Sequence, residues 1–303
     1  MARILAVQGS GRPKGFTAGL LKAAVEGMES VGGVEADRVH LHKYTFGPCN
    51  SCFSCIRNEP HECVLKDDMG AEGELMARVR AANGLFFSDP VHFWGPSAGC
   101  HLFFERLYPF LWSGGLEGMP FASASCASNQ GMQRLANRNI CKWVFTLGFR
   151  YQGGLPVHTV GYDKALKEAR ALGRNLAQAA LVDEKGREKY PDPIRYPDYV
   201  DQPWSVLEPY LDNLTNGRMT YEGSLIEEAF ESLKKEEALE LLTQAKEVFL
   251  EVLEAHRQDK PKEASRLMAR ASALWAHATF KEFLEEDVVK TSLPKAYRPL
   301  EEE

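Results

Sequence analysis

Two stretches of this chain carry side chains in patterns suited to chemistry. The first is Gly9-Ser10-Gly11-Arg12-Pro13-Lys14-Gly15-Phe16-Thr17. Glycines that free backbone N–H groups at the start of a helix, joined by the hydroxyls of Ser10 and Thr17 and the charge of Arg12, supply what a phosphate needs. The third glycine falls one position late for the dinucleotide fingerprint, and no Gly-Lys-Ser/Thr closes a Walker loop. The expectation is a phosphate-bearing ligand other than a nucleoside triphosphate. A plain strand-to-helix turn explains one or two of the glycines, but not the hydroxyls and the arginine.

The second stretch is Cys49-x2-Cys52-x2-Cys55-x7-Cys63. Three thiols at intervals of three on a tight loop suit adjacent corners of a [4Fe–4S] cluster, with a fourth reaching in from further along. Structural zinc usually takes two Cys-x2-Cys pairs set well apart. A cysteine-rich loop without metal also accounts for the run, and the spacing favours the cluster over both. His61 is an alternative to Cys63 as fourth ligand. Cys100, Cys126 and Cys141 stand among apolar residues and read as buried small hydrophobes. His40 and His42 alternate on a strand pattern, where a solvated edge strand is favoured over a metal site. No Ser/His/Asp order and no paired acids suggest hydrolysis.

The elements that must position these groups alternate through residues 1–183. Strand-like runs fall at Ile4–Gln8, Val34–Leu41, Gly84–Ser88, Phe121–Ala127 and Pro156–Gly161. Helical patterns fall at Thr17 to about Ser30, Ala71–Ala82, Ser97–Leu111, Gly131–Leu147 and Lys164–Ala180. Asp67 and Asp68 are placed to cap a helix beginning near Met69. Five strands alternating with five helices give a parallel sheet covered on both faces. Right-handed crossovers favour the order 2-1-3-4-5, a doubly wound α/β domain that binds ligands at the carboxyl ends of its strands. Residues 184–223 are rich in proline and aromatics, which forbids a long helix and suggests an ordered arm. Residues 224–303 form a C-terminal helical hairpin. It opens on Ser224 and Glu227 at capping-box spacing, and its apolar stripe must be buried on its own core or on a second subunit.

Composition narrows the classes. The chain has 303 residues with 36 basic and 42 acidic, a net charge of −6 without a Lys/Arg block. That balance argues against a nucleic-acid or anionic-membrane partner. No apolar run reaches the ~20 residues of a membrane span, and the first residues enter a strand without a signal-peptide layout. The expected location is cytoplasmic. Seven cysteines in such a chain read as reduced thiols and metal ligands.

The loop Gly9–Thr17 followed by a helix resembles the first flavin-phosphate loop of the NADPH-dependent FMN reductase family, which has the flavodoxin-like fold. The segment Pro48–Cys55, then Cys63-Val64-Leu65-Lys66-Asp67-Asp68-Met69, is similar to the family's iron–sulfur flavoprotein branch. Ser88-Asp89-Pro90-Val91-His92-Phe93-Trp94-Gly95, running into Phe104-Glu105-Arg106, resembles the second flavin loop. Ala127-Ser128-Asn129-Gln130-Gly131 resembles the third loosely. The resemblance implies FMN, its phosphate held by Ser10, Arg12 and Thr17 and its ring lined by Pro90, Val91, His92, Phe93 and Trp94. Ser128, Asn129 and Gly131 belong to the third loop. It also implies a [4Fe–4S] cluster on Cys49, Cys52, Cys55 and Cys63. His92 stands where the family usually has tyrosine, and Phe16 where it usually has asparagine. The function implied is an FMN-dependent oxidoreductase passing electrons between a reduced donor, such as NAD(P)H or a ferredoxin-like protein, and an acceptor. A clusterless NAD(P)H-dependent FMN or quinone reductase, or an electron-delivery subunit of a larger redox complex, are the other readings. A homodimer or homotetramer is expected.

Overall fold

A short apolar run becomes a strand buried on both faces when helices cover a parallel sheet. In the computed structural model, β1 (Ala2–Gln8) is such a strand, and β5 (Pro120–Ala127) is buried along its whole length. The structure describes residues 1–128, 132–187 and 219–283. These fall into two compact units, Met1–Lys189 and Tyr190–Glu303.

In the first unit the remaining strands are β2 (Val34–His40), β3 (Gly84–His92), the two-residue β4 (Gly95–Pro96) and β6 (Arg150–His158). The order is β2-β1-β3-β5-β6, all parallel, with β4 antiparallel to the end of β3. For the five long strands this is the expected 2-1-3-4-5 arrangement. It makes the first unit a flavodoxin-like doubly wound sheet, with its switch point between β1 and β3.

Helices α1 (Phe16–Glu29) and α7 (Tyr162–Lys185) share one face of the sheet, over Ile4, Ala6, Phe86, Ala122 and Ala124. They cross so closely that a Cβ on Gly27 would sit 2.0 Å from the Arg170 carbonyl oxygen. One on Gly173 would sit 2.0 Å from that of Ala24. Side-chain alternation sends Phe87 to the opposite face, where it meets Phe103 and Phe104 at 5.4 Å between ring centroids.

The short α2 (Ser54–Arg57) lies in the cysteine loop, and α3 (Glu74–Arg80) follows it. The expected start of α3 near Met69 is not observed. Gly70 and Gly73 make tight turns there, and a Cβ on Gly70 would lie 1.8 Å from the Leu65 carbonyl oxygen. The helix is capped by Gly73, and Asp68 accepts the Thr45 N–H instead. The single helix expected over 97–111 divides into α4 (Ala98–Glu105) and α5 (Pro109–Ser113), because Pro109 starts a new helix readily and continues one poorly. Helix α6 (Gln133–Thr146) packs on β5 and β6.

The second unit holds three described helices where a hairpin was expected: α8 (Leu225–Ser232), α9 (Glu236–Arg257) and α10 (Pro261–Phe283). The capping box forms, since Ser224 Oγ accepts the Glu227 N–H at 3.2 Å and Glu227 accepts the Gly223 N–H at 2.8 Å. The chain leaves the helical path between α8 and α9 because the Glu282 carboxylate takes the N–H groups of Lys234 and Lys235, each at 2.9 Å. The apolar stripe is buried within this unit, with Ile226, Leu242, Phe249, Val252 and Met268 in one core. Most of the proline- and aromatic-rich stretch, residues 188–218, lies outside the described residues. No described helix is long and apolar enough to cross a membrane.

Candidate functional site

The β1–α1 loop leaves the sheet at the switch point and is held from behind. The Gln8 amide donates to the carbonyls of Ser10, at 3.1 Å, and of Arg12, at 2.8 Å. His40 Nε2 lies 2.8 Å from the Ser10 carbonyl oxygen and His42 Nε2 lies 3.2 Å from that of Gly9. The edge-strand expectation holds for His40, since β2 lies at the edge of the sheet, but not for His42. His40 ends β2 and His42 sits in the 3-10 turn Leu41–Lys43, both turned against the loop. Ser10 Oγ accepts the Arg12 N–H at 3.2 Å, and Ser10 and Thr17 are both buried. Helix α1 has Gly15 at its N-cap and no side-chain cap, which leaves its first N–H groups open to an anion.

This loop forms one wall of a cleft of about 1290 Å³. Ser10, Arg12, Thr17, Pro90, Val91, His92 and Ser128 all line it. Asn129 and Gly131 lie outside the described residues. Phe93 and Trp94 do not line it. They are the corner of a two-residue hairpin between His92 and Gly95, with φ of +47° and +67°. Such a turn normally takes Asn-Gly; here it carries two large rings, Phe93 fully exposed and Trp94 56% exposed. Thr159 and Tyr162, which the sequence did not single out, also line it, as does Cys126, read from the sequence as a buried small hydrophobe. The Tyr162 hydroxyl donates to the Phe16 carbonyl at 2.8 Å, and the two rings meet edge-on at 4.8 Å.

Asp89 is the other residue missed. It ends the apolar part of β3, is fully buried, and accepts from the Ser97 N–H and hydroxyl, both at 2.7 Å. Ser97 in turn caps α4 through the Cys100 N–H. Burial pushes the Asp89 carboxyl up to about 7, against the Ser97 hydrogen bonds that favour its charge. A Cβ on Gly9 would fall 2.1 Å from Asp89 Oδ1, so only glycine lets the loop pass over this acid. An acidic residue two positions after the apolar run Leu85–Phe87 was the signal available in the sequence.

The cysteine loop is fastened at its ends by Arg106. This guanidinium is almost completely buried and forms a two-pronged ion pair with Asp67, at 2.6 and 2.9 Å. It also donates to the Gly47 carbonyl at 2.7 Å and approaches Cys63 Sγ at 3.5 Å. Burial opposes the charge on Asp67, but the Arg106 hydrogen bonds prevail and hold its carboxyl below the ordinary value. Asp67 also accepts the Met69 N–H at 3.0 Å, but no helix starts there.

Cys49, Cys55 and Cys63 lie within electrostatic reach of one another, with Cys52 beside them. Burial, then the neighbouring thiols, push Cys55 up to about 11. Burial also raises Cys49; at Cys52 burial raises too, but hydrogen bonds from Ser54 and its own backbone, with the Arg57 charge, together lower it. Among the described residues, no three His, Cys, Asp or Glu side chains stand in metal-holding geometry. In kind, four thiols on one loop are the donor set of a [4Fe–4S] cluster.

A doubly wound sheet with an uncapped, glycine-rich loop at its switch point defines an α/β protein of the class that binds ligands at the carboxyl ends of its strands. The profile of the NADPH-dependent FMN reductase family matches residues 2–153, and the chain belongs to that family. It is a flavin-dependent oxidoreductase working with FMN. An iron–sulfur flavoprotein of Methanocaldococcus jannaschii is 28% identical over 198 residues, covering 60% of this chain and all of that one. Among solved structures, a flavodoxin, WrbA-like protein from Agrobacterium tumefaciens is 17% identical with a TM-score of 0.41, over 60% of this chain and 99% of that one. An NAD(P)H:quinone oxidoreductase from Methanothermobacter marburgensis is 20% identical with a TM-score of 0.43, over 57% and 95%.

Proposed function

We propose that this protein passes electrons between a reduced donor and an acceptor through FMN in the switch-point cleft and a [4Fe–4S] cluster on Cys49, Cys52, Cys55 and Cys63. In this reading the flavin exchanges electrons in pairs or singly and the cluster exchanges them singly, so that together they link two kinds of carrier. The chain's own residues do the placing. The Ser10 and Thr17 hydroxyls, the open N–H groups of α1 and the Arg12 guanidinium take the phosphate. Pro90, Val91 and His92 line the ring, and buried Asp89 holds the end of β3 against α4. Arg106 ties Gly47 to Asp67 and offers an N–H to Cys63.

The observation that carries the cluster is this buried guanidinium shared between the two ends of a four-thiol loop. The iron–sulfur flavoprotein from M. jannaschii supports it. The clusterless reductase is favoured by a different observation, the absence of metal-holding geometry among the described side chains. Anaerobic purification followed by flavin, iron and sulfide assays separates the two. About four irons and four sulfides per flavin support the cluster. Flavin without iron, unchanged in the variant Cys55→Ser, overturns it.

A further inference from the structure

Gln8, His40 and His42 donate four hydrogen bonds to three carbonyls of the β1–α1 loop. A carbonyl only accepts, so each imidazole must carry its proton on Nε2. In a planar trans peptide the C=O and the following N–H point to opposite sides. Holding the Gly9 carbonyl therefore turns the Ser10 N–H the other way, and holding the Ser10 carbonyl does the same for the Gly11 N–H. The bonds come from the β2 side of the loop, whereas Ser10 and Gly11 line the cleft. The His42 ring also packs closely on Gly11, where a Cβ would meet it at 3.3 Å.

We infer that His40 and His42 are positioning residues for the flavin phosphate: they pin the loop's carbonyls away from the cleft so that successive N–H groups face the anion. This rests on the reading of the loop as the FMN phosphate site. Neither ring touches the ligand in this arrangement. Their effect is confined to the phosphate end and does not reach the flavin ring.

That confinement gives the test. Flavin-free protein is titrated with FMN and with riboflavin, which lacks the phosphate, following quenching of flavin fluorescence. Wild type should bind FMN more tightly than riboflavin. The pair His40→Leu/His42→Leu should bind FMN about tenfold more weakly, with riboflavin unchanged. The pair His40→Gln/His42→Gln, which puts an amide N–H where Nε2 was, should recover most of the loss. Exposed His42 is also tested alone as His42→Leu, a change with little bearing on folding. Wild type that does not distinguish the two flavins overturns the phosphate-site reading itself. A clear wild-type preference left intact by the leucine substitutions, or an equal loss for both flavins, overturns the positioning role alone.

Discussion

Replacing Asp89 by asparagine should flatten the pH dependence of folding stability. A carboxyl whose folded value is raised to about 7, against an ordinary unfolded value of about 3.9, binds more protons folded than unfolded throughout that interval. Stability from this group is therefore complete below the unfolded value and is lost as pH rises through the folded one. Between about pH 5 and about pH 8 the loss integrates to about 2–3 kcal/mol. The side chain is fully buried, so solvent screening does not reduce this figure appreciably. Asparagine is neutral at every pH and still offers an oxygen to the Ser97 N–H. Urea denaturation of flavin-free protein, followed by tryptophan fluorescence at the two pH values, measures the difference. Asp89→Asn should gain about 2–3 kcal/mol on wild type between them. Parallel stabilities for the two proteins would refute the reasoning and mean that Asp89 is ionised across the range.

Gly173→Ala should destabilise the first unit by about 1–3 kcal/mol, since its methyl would strike the Ala24 carbonyl oxygen from 2.0 Å; thermal melting reads this. Arg106→Met leaves Asp67 without its buried partner and should cost about 3–5 kcal/mol. Adding Asp67→Asn should return much of the loss in a double-mutant cycle. Phe93→Asn with Trp94→Gly supplies the residues that a turn with φ of +47° and +67° prefers. It should stabilise the protein by about 1–2 kcal/mol, which a melting curve reads.

What the sequence revealed was what is local or repeats along the chain. The run Ile4–Val7 and the glycines and hydroxyls of the next loop stand in one short stretch, and the strand–helix alternation limits the sheet to few orders. The residues that were missed act over long separations. Arg106 meets Asp67 39 positions away, and His42 meets Gly9 33 positions away. Nothing in the neighbourhood of either histidine shows that its ring faces the phosphate loop. The start of α3 was misplaced for a local reason, because Asp67 and Asp68 have a cap's residue type but Gly70 and Gly73 fold the chain into tight turns first. In the second unit, the apolar spacing identified the helices, while the break before α9 depends on Glu282, far along the chain.

The central claim is a two-electron and a one-electron centre in one chain. Its most direct test is a stoichiometric reductive titration of anaerobically purified protein, followed by absorbance and normalised to flavin. Uptake of about three electrons per flavin, with bleaching of a broad band near ~400 nm beside the flavin bands, is the result expected for FMN and one cluster. Uptake of about two electrons, all accounted for by the flavin spectrum, would contradict it and leave a plain FMN-dependent reductase.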